Sequence, residues 1–553
     1  MVFIVKKTVS GNDYYYLRKS FREKGINKTK DIAYLGKTKE DAEKKMKKFL
    51  KDNVKGKDKE QKVEIKKLKL EKKQATIDEL TSFCKRKGFV FQSADIYGGF
   101  AGFWDYGSLG VELINNLKNS WRQFFIRNRE DVVEINGSII TSPKVWEASG
   151  HVGSFKDVAV KCLKCKKFNK VDVHEIKTAK CDFCKGNLDK ENAKELQQMF
   201  TINVGPIEET SIKSYLRPET AQLIFTNFKQ VSENARMKLP FGIAQIGKAF
   251  RNEIAPRNFL FRSREFEQME IEYFILPGED CPYKISNLDI LIYSSEMQAK
   301  NKEPEKMKLK QAYENKIIKK DWHAYWLLQV LLWFKELGCD LNNFRLRQHS
   351  KEELAHYSSD CWDVEYNFSF GWKELTGIAD RGCYDLSQHE KFSRKDLKLF
   401  VEGKGKVLPE VIAEPSFGVE RAFLVLLSES YYQDKEKNNI VLKLNPKLSS
   451  VKAAIFPMVK GKEYEKISKE IFDDLKKDWN VVYDKSGSIG RRYARNDEIG
   501  TPFCITIDEE SLKKKDVTIR DRNTTNQIRI KIENLKNILR DLIDGKINFG
   551  SLQ

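Results

Sequence analysis

The chain has 553 residues, 40% of them hydrophobic, enough for three or more domains with buried cores, which excludes a wholly disordered chain. Its 100 lysines and arginines against 80 aspartates and glutamates leave a net charge of +20, an excess that favours a polyanionic partner, most simply nucleic acid. No apolar run approaches the roughly 18 residues of a membrane span, and the opening MVFIVKKTVSGNDYYY does not read as a secretory signal. Ten scattered or paired cysteines suit a reducing cytosol better than a disulfide scaffold, so a cytoplasmic protein with no membrane partner is expected.

Residues 1–52 are expected to form an appended basic N-terminal β domain. FIVKKTV, DYYYLRKSFRE and KTKDIAYLG read as strands, with Tyr14, Tyr16, Arg18, Lys19, Arg22 and Lys24 interleaving rings and cations. Such a sheet suits a nucleic-acid strand, and an ordinary amphipathic hairpin explains it equally well. Residues 38–75 read as a lysine-rich helix and then a linker, the linker proper spanning 53–76; a solvated face or a backbone-tracking RNA contact both fit it.

A compact domain is expected over 77–440. Leu109, Leu113, Ile114, Leu117 and Trp121 recur at helical spacing. EINGSIITSPKVWEASGH follows as strand, turn and loop, with Pro143 interrupting the strand pattern. Within 158–192, Cys162 and Cys165 form one CxxC and Cys181 and Cys184 another, with fifteen residues between. Four thiolates at this spacing close a tetrahedral structural Zn2+ site that staples a loop too small to fold alone. In SYLRPETAQLIFTNF, Pro218 and Glu219 are expected in the first turn of a helix whose buried stripe is Leu223, Ile224 and Phe228.

Residues 241–273 read as two alternating strands joined by a basic loop. Gln245, Arg251 and Glu253 share one face of the first, and Phe266, Gln268, Glu270 and Glu272 one face of the second, with Met269, Ile271 and Tyr273 toward the core. The charged face is expected to be an open floor. Either it is a solvated sheet surface, or it is a nucleotide site in which the arginine holds a phosphate, the ring stacks on a base and the acids orient an ammonium group or a metal ion. Residues 281–345 read as a helical insertion whose run AYWLLQVLLWF is core. Sheet then resumes, with Glu374, Asp380, Arg381 and Asp385 among strand formers and turn glycines. EPSFGVERAFLVLL reads as a helix start, and Arg421 on its apolar sequence needs a phosphate or carboxylate partner. Residues 445–553 alternate in the βαβ manner as a separate α/β domain, with basic loops at Arg491, Arg492, Arg495, Arg520 and Arg522.

FRNE, the basic loop, REFEQMEIE and the distant GVER helix resemble the second and third motifs of class II aminoacyl-tRNA synthetases, and the Pro143 segment resembles the first. More narrowly, WDYGSLGVELINNLKNSW, VWEASGH, YLRPETAQ, LPFGIAQIGKAFRNE, GWKELTGIADR, EPSFGVER and SIGRRYARNDEIGTPF are similar to dimeric glycyl-tRNA synthetases of the archaeal and eukaryotic type, in family order over about residues 85–550. The resemblance implies an α+β catalytic domain on an antiparallel sheet flanked by helices, and an anticodon-binding domain at 445–553. It implies a ligase that activates glycine with ATP and Mg2+ and passes it to the 3′ end of tRNA(Gly), and a homodimer.

Carried over by position, Arg251 resembles the arginine that grips the amino-acid carboxylate and α-phosphate, Glu253 the reader of the adenine amino group, and Phe266 the ring beneath adenine. Arg421 resembles the γ-phosphate arginine, and Glu374 and Glu414 the holders of magnesium or ribose. Arg251, Arg421 and Glu374 would carry catalysis. Glu219, Glu270 and Ser416 resemble the ammonium pocket, and Arg381 the residue facing the glycine carboxylate. The five C-terminal arginines are the expected tRNA contacts. Leu223, Ser108, Gly382 and Cys383 depart from the family pattern, and Leu223, four residues after Glu219, is expected to narrow the pocket. Two rivals stand beside this reading: a catalytically silent class II-like nucleic-acid-binding protein, and an amino-acid-adenylating ligase that acts without tRNA.

Overall fold

The computed structural model describes residues 2–9, 12–23, 26–36, 38, 45 and 70–552, apart from 155, 172–175, 177 and 436–437. The expected lysine-rich helix and most of the linker lie outside the described residues. The chain divides into two compact units, 1–68 and 69–553. In the first, the three expected strands form an antiparallel meander, Val2–Val9, Asn12–Glu23 and Ile26–Gly36, with Val9 opposite Asn12 and Glu23 opposite Ile26.

The second unit is built on a nine-stranded mixed sheet. Its order is Glu305–Lys308, Asp289–Tyr293, Phe344–Gln348, Asp360–Phe368, Gly371–Asp380, Glu410–Gly418, Glu265–Ile275, Phe241–Phe250 and Val132–Ile135. The central strands are antiparallel; Val132–Ile135 runs parallel to Phe241–Phe250, and Asp289–Tyr293 parallel to Phe344–Gln348. Met269, Ile271 and Tyr273 face the main core, where helix Asp321–Glu336 lies with Trp322, Trp326, Trp333 and Phe334 almost wholly buried. A helix apolar all round has no solvent face to present, so it belongs inside. On the opposite face Ala221, Ile224, Phe225 and Phe228 of helix Ala221–Ala235 pack with Ile243 and Phe274 in a smaller core.

Four expectations are corrected. Pro143 does not break a strand: it opens helix Pro143–Ala148 at its first turn, where a missing N–H is harmless. Pro218 and Glu219 precede their helix, which starts at Ala221 after Thr220, because the Glu219 side chain is drawn to distant partners described below. The 281–345 segment is not only helical, since two of its stretches, Asp289–Tyr293 and Glu305–Lys308, extend the large sheet. Residues 414–418 are strand, with helix Val419–Ser430 beginning only after them, because Glu410–Gly418 is paired on both sides.

Toward the C-terminus, Val481–Tyr483, Ala453–Pro457 and Phe503–Ile507 run parallel, and Asp516–Asp521 and Gln527–Lys531 continue the sheet antiparallel. Helices Lys462–Leu475 and Ile532–Ile543 place Ile471, Leu475, Leu535 and Leu539 in its own apolar core. A mixed sheet-rich α+β body carrying a C-terminal α/β domain is thus the architecture.

Candidate active site

The charged face of the 241–275 hairpin opens into a cleft lined by Arg251, Glu253, Phe261, Phe266, Glu374, Ser416 and Arg421, among others. Arg251 and Glu253 lie just beyond strand Phe241–Phe250, at the mouth of the hairpin loop. The Arg251 guanidinium sits 5.4 Å from the Phe266 ring centre and its Nε donates to the Pro218 carbonyl at 3.0 Å. Phe266 is half-buried and lines the cleft. Arg421 lies 4.7 Å over Phe261, and its Nη1 is 3.2 Å from a Glu374 carboxylate oxygen. Desolvation in the cleft raises the Glu374 pKa, but Arg421, with His349 and Arg251, outweighs it and holds the group below the usual carboxylate range. Glu253 accepts from Arg262 Nε at 2.8 Å, which pins the basic loop against the cleft.

An adjoining hollow shares Arg251, Gln268, Glu374 and Ser416 with the cleft and adds Glu219, Glu270, Tyr357 and Glu414. Here the expected open floor is corrected. Gln268, Glu270, Glu272 and Phe274 share a face, and the small core around Phe274 caps its far end, so Glu270 and Glu272 are buried. Glu219 lies 3.2 Å from His151 Nε2, whose Nδ1 meets Ser149 Oγ at 2.8 Å. Desolvation opposes the charge on Glu219, but His151, then Arg381 and Arg251, hold its pKa well below normal. Glu270 accepts from the Thr220 hydroxyl; burial and then Glu219 raise its pKa.

Arg381 does not line the hollow. It is buried behind it, donating to Asp385 at 2.7 and 3.0 Å and to Glu414 at 2.8 Å, with Tyr357 3.7 Å across its face. Its donors are taken by carboxylates, so the expected contact with a substrate carboxylate is corrected to a supporting one. Glu414 is buried and paired with Arg381, and burial pushes its pKa up to about 8; Glu374, 46% exposed and kept ionised, fits a hard oxygen-seeking cation. Leu223 packs by Gly137, where an added Cβ would lie 2.6 Å from its Cδ1, and it does not line the hollow. The expected narrowing is therefore absent from the lining.

The acids outnumber the cations here. Glu219, Glu270, Glu272, Asp385 and Glu414 converge around buried Arg381, and burial first, then neighbouring carboxylates, raises the pKa of Glu270, Glu272 and Glu414.

Elsewhere, the four Sγ atoms of Cys162, Cys165, Cys181 and Cys184 lie within 4.8 Å of one another, close enough for a tetrahedral thiolate cage, and none is in a disulfide. Of the five C-terminal arginines, three are taken by the fold. Arg520 makes a bidentate pair with Asp497 at 2.8 and 2.9 Å, Arg522 donates to the Gly500 and Leu444 carbonyls, and Arg492 donates to the Pro457 carbonyl. Arg491 and Arg495 are exposed on helix Ile489–Glu498 rather than in a loop, and Arg495 is itself paired with Asp484 and donates to the Ser486 carbonyl at 2.7 Å.

Residues 452–542 match the family described as Anticodon binding domain. The glycine–tRNA ligase of Thermobifida fusca (strain YX) is 40% identical over 498 residues, covering 86% of this chain and 99% of that protein. The chain belongs to the glycine–tRNA ligase family. The Streptomyces coelicolor (strain ATCC BAA-471 / A3(2) / M145) and Borrelia hermsii (strain HS1 / DAH) ligases are each 40% identical, over 494 residues (85% of this chain, 99% of the relative) and 473 residues (84% and 97%). Within this family member, sequence reasoning passed over Arg217, Thr220 and Tyr357. Arg217 is 1% exposed and donates to the Gly137 and Lys248 carbonyls, and its guanidinium occupies the space a Cβ at Gly247 would need. The pairing of RP with a glycine on the next strand was its only trace in the sequence.

Proposed function

We propose that the cleft and hollow together activate glycine with ATP and that the chain then ligates it to tRNA. The observation that carries this reading is the pair of adjoining spaces: a cationic, ring-lined cleft for a nucleotide, sharing Arg251 with a small acid-walled hollow for an ammonium group. A glycine carboxylate oxygen attacks the α-phosphorus of ATP, the bond to the bridging oxygen breaks, and pyrophosphate leaves. A ribose hydroxyl of the terminal tRNA adenosine then attacks the glycyl carbonyl and AMP leaves. Neither step needs a protein nucleophile.

In this reading Arg251 neutralises charge where the carboxylate meets the α-phosphate, Phe266 stacks beneath adenine, and Arg421 meets the terminal phosphate. Glu253 reads the adenine amino group. Glu219, Glu270 and Ser416 receive the ammonium group, and Arg381 holds Glu219, Asp385 and Glu414 in place. Glu374 would hold Mg2+, which supplies further positive charge to the phosphates. The hollow rejects larger amino acids sterically, since overpacking by even one methyl costs roughly 1–3 kcal/mol.

We assign catalysis to residues 77–440, anticodon contact to 445–553 through Arg491 and Arg495, a structural Zn2+ to the four cysteines of the 158–192 module, and added tRNA affinity to the basic N-terminal domain. The homodimer reading is supported by apolar side chains left exposed around the small sheet of Ile140–Thr141, Thr201–Val204 and Ile212–Leu216, with Ile140 at 51% and Ile212 at 64%. No helix of the described residues is long and apolar enough to cross a membrane, in keeping with work in the cytoplasm. A catalytically silent relative would have lost the arginine and ring positions, and Arg251, Phe266 and Arg421 all stand in the cleft. The test is exchange of labelled pyrophosphate into ATP across all twenty amino acids: glycine alone should support it, and exchange with a larger amino acid, or with none, would overturn the reading.

A further inference from the structure

We propose that His349, Cys361 and Asp363 form a second metal site, which takes a borderline divalent cation such as Zn2+ in the wall of the acid hollow. Sheet register builds it. Strand Phe344–Gln348 runs antiparallel to Asp360–Phe368 with Gln348 opposite Trp362, so His349 comes opposite Cys361 and donates its backbone N–H to the Cys361 carbonyl at 3.0 Å. Cys361 and Asp363 are two residues apart on one strand, so their side chains leave the same face. Gly377 lies opposite Asp363 on the next strand, and the side chain it lacks leaves room: a Cβ there would lie 3.7 Å from Asp363 Oδ1.

The imidazole nitrogen, thiol sulfur and carboxylate oxygen lie within 4.8 Å of one another, with His349 Nε2 2.8 Å from Asp363 Oδ2. Opening that contact to about 3.4 Å, the edge of a tetrahedron with zinc-to-ligand bonds near 2.1 Å, would seat the ion. Imidazole, thiolate and carboxylate are the donor types zinc prefers, and binding would displace the Cys361 thiol proton to solvent. All three residues line the hollow, as do Glu353 and Glu374, so a fourth coordination position faces open space. Glu219, Glu270 and Ser416 line the same hollow. A cation there competes with an ammonium group for the same negative potential, so the metal acts as an inhibitor against glycine. This last step rests on the proposed function; the binding itself does not.

The test is calorimetric titration of the full chain with Zn2+, the parent compared with each variant so that binding at the four cysteines cancels. One additional equivalent is expected, weakened at least about tenfold in Cys361→Ser and in His349→Ala. Titration with Co2+ should add one thiolate-to-cobalt absorption band that Cys361→Ser removes. In pyrophosphate exchange, Zn2+ should raise the apparent KM for glycine in the parent and not in His349→Ala. No additional equivalent, or one unchanged in both variants, overturns the proposal. If Cys361→Ser does not fold, His349→Ala decides alone. A second equivalent without any effect on glycine would keep the site and overturn its inhibitory role.

Discussion

Glu272 shows most directly how much of this site depends on burial. It is 0% exposed and neither carboxylate oxygen has a hydrogen-bond partner. Burial, then Glu414, raises its pKa well above 4.5. The native state therefore keeps a proton that the unfolded chain releases, so the cost is absent below the unfolded pKa and grows as pH rises toward the folded one. Glu272→Gln should unfold at higher urea than the parent at about pH 8, with the difference vanishing near pH 4; a constant difference would contradict a buried neutral acid. Arg251 and Glu219 should separate nucleotide from amino-acid recognition. Arg251→Ala is expected to cut pyrophosphate exchange by about 10²–10³-fold, the cost of removing one preorganised charge-stabilising donor. Glu219→Ala is expected to raise the glycine KM while leaving ATP affinity, read by equilibrium dialysis, unchanged. Phe266 and Glu270 were legible as site residues because period-two alternation set them on one face of a strand, and Arg251 and Glu253 because the family motifs named them; the expectation that those two also stand on a strand is corrected, since the strand ends at Phe250. His151 stood out in the sequence as a histidine to watch, with a local or core hydrogen bond as its plainer reading, but its pairing with Glu219 and the pairing of Arg381 with Glu414 were not legible, because those partners lie far away in the chain.

At the level of elements, local chemistry decided the strands of the hairpin and the two CxxC knuckles, and tertiary contacts decided helix starts. Thr76 and Glu79 cap helix Ile77–Lys87 reciprocally, and Gly88 ends it in the left-handed region at φ 79°. Pro218 and Glu219 carry comparable helix-start signals, yet the helix waits for Ala221 because Glu219 is tied to His151. In the proposed reading the cysteine module leans most on a metal: among the described residues its buried apolar side chains are few, chiefly Val158, Val160, Val171 and Leu188 beside the cysteines. Stripping zinc with a strong chelator should expose residues 158–192 to limited proteolysis before the rest of the chain. Equal protection with and without chelator would remove the structural role of the metal. The helix Ile489–Glu498 makes the opposite point about arginines. Its neighbourhood reads as a basic loop, but Arg520 and Arg522 serve as internal struts, since a buried guanidinium is kept only with full pairing.

For the whole molecule, the +20 charge sets an expectation about tRNA that the catalytic site alone does not. A chain of residues 69–553 should keep glycine-dependent pyrophosphate exchange and bind tRNA more weakly, with a shallower dependence of affinity on salt. Unchanged affinity and slope would deny the N-terminal residues that role. Arg491→Ala in the full chain should weaken tRNA binding and lower the salt slope by about 1. The order of motifs, the hairpin's alternation, the cysteine spacing and the βαβ pattern at the C-terminus were determined by sequence alone, because each is a short-range regularity of side-chain type. Only the tertiary structure decided that the hairpin's acid face is sealed at one end, that Arg381 stands behind the hollow, and that three of the five C-terminal arginines are buried. Burial and charge pairing are properties of neighbours brought together from distant positions, and no local pattern in the chain encodes which neighbours those will be.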